Sequence, residues 1–176
     1  LRNQAIAGVG PKGPAFAGAL FATVDGGDVN DVFLGVRTSA PGGGGQFGLF
    51  YVGVPKGQAF EGDGWLFGLQ QDDQNRSNVA LVNTGEVDSN DNSYTIELYE
   101  GASGIKVATV PNIVVTARAW RQIGTILATY APGVTQGYAR VTRTAGNNPS
   151  IYYGVINDGG KPGERTGDGA FIPASE

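Results

Sequence analysis

The chain contains no cysteine, no methionine and no histidine. Without cysteine there are no disulfides, no thiol nucleophile and no thiolate-bound metal. Without histidine the commonest general base and the commonest zinc ligand are both missing. A serine-type centre would then need a lysine or an N-terminal amine as its base. The only lysines are Lys12, Lys56, Lys106 and Lys161. Three stand beside Gly or Pro in predicted loops, and Lys106 opens a predicted strand. Positive charge is scarce as well: 12 Lys and Arg face 16 Asp and Glu, for a net charge of −4. The electrostatic footprint of a nucleic-acid binder is therefore absent. No apolar run approaches the ~18 residues that a membrane-spanning helix needs. Leu1 in place of Met, with no basic and apolar opening, makes the chain read as a processed or excised piece.

What the chain has in abundance is glycine, 30 of 176 residues, against about 7% in average usage. The glycines follow no collagen-like triplet. Most stand between short apolar runs, where sharp turns need positive φ. Runs of four to eight apolar residues bounded by Gly, Pro, Asn and Asp recur along the chain, a spacing that suggests a sandwich or barrel. Expected strands are 19–24, 32–38, 48–54, 65–69, 78–83, 94–99, 106–110, 113–116, 119–123, 137–144, 150–156 and 169–172. Tyr94, Ile96 and Leu98 alternate with Thr95, Glu97 and Tyr99, as in a half-buried antiparallel strand. Ile126, Leu127 and Tyr130 have helical spacing before Pro132 and Gly133, which predicts one short helical turn. The expected fold is an all-β antiparallel sandwich, jelly-roll or immunoglobulin-like in general form, over 19–176. Residues 1–18 read as an extended arm.

Two stretches of the chain align. Residues 20–38 (LFATVDGGDVNDVFLGVRT) match residues 126–144 (ILATYAPGVTQGYARVTRT) without a gap. Arg37 and Thr38 meet Arg143 and Thr144. A turn follows in each, then an aromatic strand (LFYVGV, IYYGVI), then Gly-Asp-Gly with an apolar run (GDGWLF, GDGAFI). The order of landmarks reads as an internal duplication of 20–67 and 126–172. Arg37, Asp63, Arg143 and Asp168 are its repeated polar positions. The aspartates are expected to cap their own turns, and the arginines to pair with them or to cap carbonyls.

Calcium, which takes only oxygen ligands, is the one metal open to this composition. Two clusters are candidates: Asp25, Asp28, Asn30 and Asp31, and Asp88, Asn90, Asp91 and Asn92. The second begins like an EF-hand loop but lacks the sixth-position Gly, and Tyr99 occupies the twelfth position. A solvated turn explains both clusters, as it does Asp72, Asp73 and Asn75. A glycosidase would need two opposed carboxylates. The acids available are Glu61, Asp63, Glu97, Glu100, Asp158, Glu164 and Asp168. Trp120 is expected in the core. Tyr51, Trp65, Tyr99 and Tyr152 are the aromatics that a strand could present to a ligand such as a glycan.

The segments RSNVALVNTG (76–85), TIELYEGASG (95–104), WRQIGTIL (120–127), GYARVTRT (137–144), YYGVINDGG (152–160) and GDGAFIP (167–173) form a pattern. It resembles uncharacterised β-sandwich repeat modules of large secreted proteins from environmental bacteria. The resemblance implies export and a modular context, and carries no catalytic or binding residues with it. The sequence thus leads to a non-catalytic secreted or cell-surface module for display, adhesion or assembly, whose partners would be copies of itself or neighbouring surface modules. Two other readings stand beside it. One is a carbohydrate-binding accessory domain of a secreted enzyme. The other is a filament subunit joined by strand donation from the 1–18 arm.

Overall fold

The computed structural model describes residues 18–28, 31–38, 40–42, 45–165 and 168–176. The expected arm lies almost wholly outside them. Among the described residues twelve strands run in order: β1 (Gly35–Arg37), β2 (Ala40–Gly42), β3 (Gly45–Phe47), β4 (Phe50–Val52), β5 (Gly64–Gln70), β6 (Asn75–Asn83), β7 (Asn92–Glu100), β8 (Lys106–Val115), β9 (Ala119–Ile123), β10 (Gln136–Ala145), β11 (Ser150–Asp158) and β12 (Gly169–Pro173). One short helix, α1 (Ile126–Tyr130), lies between β9 and β10. Two four-stranded antiparallel sheets form the sandwich. The first has the order β5-β10-β7-β8 and the second β12-β11-β6-β9. Two short ribbons, β1-β4 and β2-β3, precede them. The all-β sandwich expected from the sequence is therefore the fold.

The core lies between the sheets. Leu66 and Leu69 of β5, Tyr94, Ile96 and Leu98 of β7, and Ala139 and Val141 of β10 meet Val79 and Leu81 of β6 and Tyr152 of β11. Alternation alone would not place these residues correctly. Trp65 and Phe67 point outward, so strict period two would turn Leu69 out as well. Gly68, at φ +84°, interrupts the ladder where β5 meets β10, and Leu69 returns to the core. The same device joins two expected strands into β8. Pro111 and Asn112 (φ 59°) lie opposite Thr95, and both Val110 and Ile113 stay buried. Pro lacks an N–H and so suits an edge strand, where it also discourages pairing with another chain.

β6 is buried almost from end to end, which means both of its faces are covered. Val79 and Leu81 face the core, and Ala80 and Val82 face the opposite way. Trp120, expected in the core, is instead paired with Val82 on the neighbouring strand. Its indole N–H donates to the Tyr153 hydroxyl at 2.6 Å, spanning β6 on the outer face of the second sheet. Tyr51 of β4 joins this outer cluster, with ring centroids 5.6 Å from both Tyr153 and Phe171. The Arg118 guanidinium sits 4.3 Å from the centre of the Phe21 ring. Phe21 and Tyr51 thus bring part of the 18–54 stretch against the second sheet.

The aligned segments 20–67 and 126–172 do not share this architecture. β1 and β4 hydrogen-bond to each other, whereas their counterparts β10 and β11 lie in opposite sheets. Residues 126–130 form a helical turn, while residues 20–24 have no regular structure. Backbone ladders are decided by which neighbour a strand finds, and similar local sequence does not fix that.

Candidate functional site

The outer face of the first sheet is a large sheet face that no other described residues are shown to overlie. Its register sets out two rows of side chains across the strands. In one row Phe67 of β5 stands opposite Tyr138 of β10, Tyr138 opposite Tyr99 of β7, and Tyr99 opposite Lys106 of β8. In the next, Trp65 stands opposite Arg140, and Arg140 opposite Glu97. Neighbouring strands are about 4.8 Å apart, which brings rings in one row into stacking range. Tyr99 and Tyr138 lie nearly parallel, 3° apart in plane and 4.9 Å between centroids. Trp65 and Phe67 are 6.1 Å apart with planes within 8°. Phe67 is 56% exposed, an uncommon position for a phenyl ring beside three other aromatics.

A charge network occupies the middle of this face. Arg140 donates from Nε to Asp63 Oδ2 at 2.8 Å and pairs through a second nitrogen with the same carboxylate. Its other terminal nitrogen lies 3.9 Å from Glu97 Oε2, and its guanidinium is 5.6 Å from the Trp65 ring centre. Lys106 Nζ donates to Glu97 Oε1 at 2.8 Å, and the Tyr99 hydroxyl donates to Glu97 Oε2 at 3.1 Å. These donors, Lys106 foremost, hold the Glu97 carboxyl below the usual carboxylate range. Burial, followed by the Glu97 carboxylate beside it, raises the Tyr99 phenol.

That electrostatic setting bears on catalysis. A glycosidase needs one carboxylic acid held protonated near neutral pH. Asp63 and Glu97 instead share one guanidinium, and Glu97 is shifted toward its charged form. The sequence also holds one Ser-x-x-Lys spacing, Ser103-Gly104-Ile105-Lys106. Its members have separate partners. The Ser103 hydroxyl donates to Glu100, and Lys106 is tied to Glu97, which raises the ammonium's pKa. A lysine held protonated cannot take a proton from serine. Ser103 and Glu100 line an open depression of about 400 Å³ together with Ile105, Val107 and Val134 to Gln136.

The other expected site residues are dispersed. Of the four ligand aromatics, Trp65 and Tyr99 come together on this face. Tyr152 is 2% exposed in the core, where burial pushes its phenol up to about 12. Tyr51 is half-buried on the opposite sheet. Of the repeated polar positions, Asp63 bonds Arg140, whose counterpart in the first aligned segment is Leu34, and caps no turn of its own. Asp168 Oδ1 accepts the Gly48 N–H at 3.2 Å. Arg143 does cap carbonyls, donating to Asn148 and, at 2.9 Å, to Glu61. Arg37 is exposed on β1.

The Asp88 cluster belongs to a stitched end of the sandwich. Asp88 Oδ1 accepts from the Asn90 N–H and from Asn148 Nδ2, each at 2.9 Å. The Asn90 N–H, first among the donors, lowers the Asp88 pKa. Both of these bonds go to the same oxygen, Oδ1. The Asn90 carbonyl is taken by Asn83 and Asn148, and Asp91 is exposed. Asp25 and Asp31 are exposed as well, and Asp28 accepts the Asp31 N–H through its backbone carbonyl. Asn30 lies outside the described residues. Among the described residues no group of three or more acidic side chains gathers in a metal-binding arrangement.

The residues missed in the sequence are Phe67, Tyr138 and Arg140. Their signal was parity: Trp65 and Phe67, Tyr138 and Arg140, and Glu97 and Tyr99 are each two apart in a strand. Comparison of the chain with family models, with curated proteins and with solved structures finds no match. The class of protein is therefore defined by the fold alone, an antiparallel β-sandwich.

Proposed function

We propose that the chain is a non-catalytic, secreted or cell-surface β-sandwich module that acts by binding, in display, adhesion or assembly, through the outer face of its first sheet. One observation carries this reading. Described residues of the 18–54 stretch pack on one sheet, while the other sheet carries four aromatic rings and a charge-paired centre with no described residues packed over them. The charge state of its carboxylates favours holding a ligand over breaking a bond. Extracellular placement draws its support from the sequence resemblance.

The test is adhesion. Beads coated with the whole chain are expected to adhere to bacterial cell surfaces. Beads coated with a Phe67→Ala/Glu97→Gln variant of unchanged melting temperature are expected to wash off. Equal adhesion by both would refute the reading.

A self-assembly reading has its own observation. Phe33 and Phe50 are 74% and 51% exposed and stack on each other at 6.3 Å, on a ribbon only two strands wide. Such a ribbon is marginal without cover. Sedimentation velocity would detect association that Phe50→Ser removes; a monomer at all concentrations would refute it.

A further inference from the structure

The make-up of the open face narrows its ligand. Resting on the binding reading above, we infer that the ligand is a neutral, hydroxyl-rich polysaccharide lying across the strands of the first sheet. The argument begins with the placement of charge. A protein–protein interface keeps its centre apolar and its charges at the rim. Here the centre is not apolar throughout. Arg140, between Asp63 and Glu97, shares strand β10 with Tyr138, which Phe67 and Tyr99 flank in the neighbouring row. An apolar protein surface laid on this centre would strip water from three ionised groups without giving them new partners.

A sugar ring suits the same surface. Its hydroxyls accept from guanidinium and ammonium and donate to carboxylates, giving charge-assisted bonds that replace lost water. Its apolar C–H face packs against aromatic carbon. The formal charges on the face balance: Arg140 and Lys106 against Asp63 and Glu97. An acidic glycan would find no net positive field here, and the chain as a whole carries −4. The rows run perpendicular to the strands, so an extended chain of sugars would meet rings and charged groups on three adjacent strands.

The test is affinity electrophoresis of the whole chain in native gels cast with hydroxyethylcellulose, galactomannan or dextran. Polygalacturonate serves as the acidic control. At least one neutral polysaccharide is expected to slow the chain. Phe67→Ala and Glu97→Gln are each expected to weaken that retardation by about tenfold, with unchanged melting temperatures. Val87→Ser, 64% exposed in the loop at the sandwich end, is expected to leave it intact. No retardation by any neutral polysaccharide overturns the inference, as does retardation by polygalacturonate alone or equal retardation of parent and face variants. If neutral glycans fail while bead adhesion still depends on Phe67 and Glu97, the ligand class falls and the binding face stands. If adhesion is indifferent to both residues, the binding face falls too.

Discussion

Replacing Asn148 tests the account of the stitched sandwich end most sharply. This side chain is fully buried and makes four hydrogen bonds. Its Oδ1 accepts the N–H groups of Val87 and Asp88 at 2.9 and 3.0 Å, and its Nδ2 donates to Asp88 Oδ1 and the Asn90 carbonyl at 2.9 and 3.1 Å. A buried hydrogen bond contributes about 1 kcal/mol net. Water can reach part of loop 84–91, so the four together are discounted. Asn148→Ala is expected to cost about 3 kcal/mol. In a domain of this size that lowers the melting temperature by about 6–12 °C. Asn148→Asp gives a signature that lost packing cannot mimic. It keeps the two accepted bonds but sets a second carboxylate against Asp88. One of that pair then titrates above its unfolded value, so the variant is stabilised in acid and loses stability as pH rises through the raised pKa. In the parent, Asp88 is shifted down, so its contribution is present near neutrality and is lost in acid. The two stabilities must therefore converge toward about pH 4, near the ordinary aspartate value, and diverge at neutral pH. Urea unfolding across this range measures both. A cost for Asn148→Ala below about 1 kcal/mol, or a parent–Asp gap that does not change with pH, would refute the reasoning.

Burial pushes Tyr152 and Tyr153 up to about 12. Unfolding returns them to about 10, so the folded state holds protons that the unfolded state releases, and stability falls as pH rises between the two values. With both phenols the slope is about 2–3 kcal/mol per pH unit. Of the seven tyrosines, Tyr152 and Tyr153, together with the fully buried Tyr94 whose phenol burial also raises, should ionise only with loss of fold, which phenolate absorbance and circular dichroism followed side by side would show. At Gly146 (φ 90°) an added Cβ would stand 2.2 Å from Asn92 Oδ1 and 2.6 Å from the Asp91 carbonyl, whereas at Gly57 (φ 80°) it meets nothing. Gly146→Ala is expected to cost about 2–4 kcal/mol and Gly57→Ala about 1, by thermal melting; equal costs would refute the contact argument. The buried Arg76 donates from one nitrogen to the carbonyls of Asp158 and Gly159, both at 2.7 Å. Arg76→Met should therefore speed hydrogen exchange at the Gly159 amide before it affects β7; unchanged exchange there would refute an anchoring role.

The residue pattern of β7 shows how far sequence carries. Its alternation named the buried and exposed sides correctly, because successive side chains point to opposite faces wherever the backbone is extended. The helical turn at 126–130 was legible for a similar reason: its spacing and its stop at Pro132-Gly133 are local. β5 and β8 show where local reading stops. The bulges at Gly68 and Asn112 shift parity in mid-strand, and only the demand that Leu69 and Ile113 reach the core reveals why they are there. Asp63 shows a second limit. Its turn motif suggested a local cap, but its partner Arg140 lies 77 positions away.

The amino-acid order by itself determined the class of fold, the inner side of β7 and the chemistry that histidine and cysteine would have supplied and that is missing here. All of these depend on composition or on neighbours a few residues apart. Only the folded chain decided that 35–37 pairs with 50–52 while 136–145 and 150–158 part to opposite sheets. It alone brought Phe67, Tyr138, Tyr99, Arg140 and Glu97 onto one open surface. Strand order is settled by which apolar faces bury each other across the whole chain, so rings far apart in sequence meet only once that packing is complete.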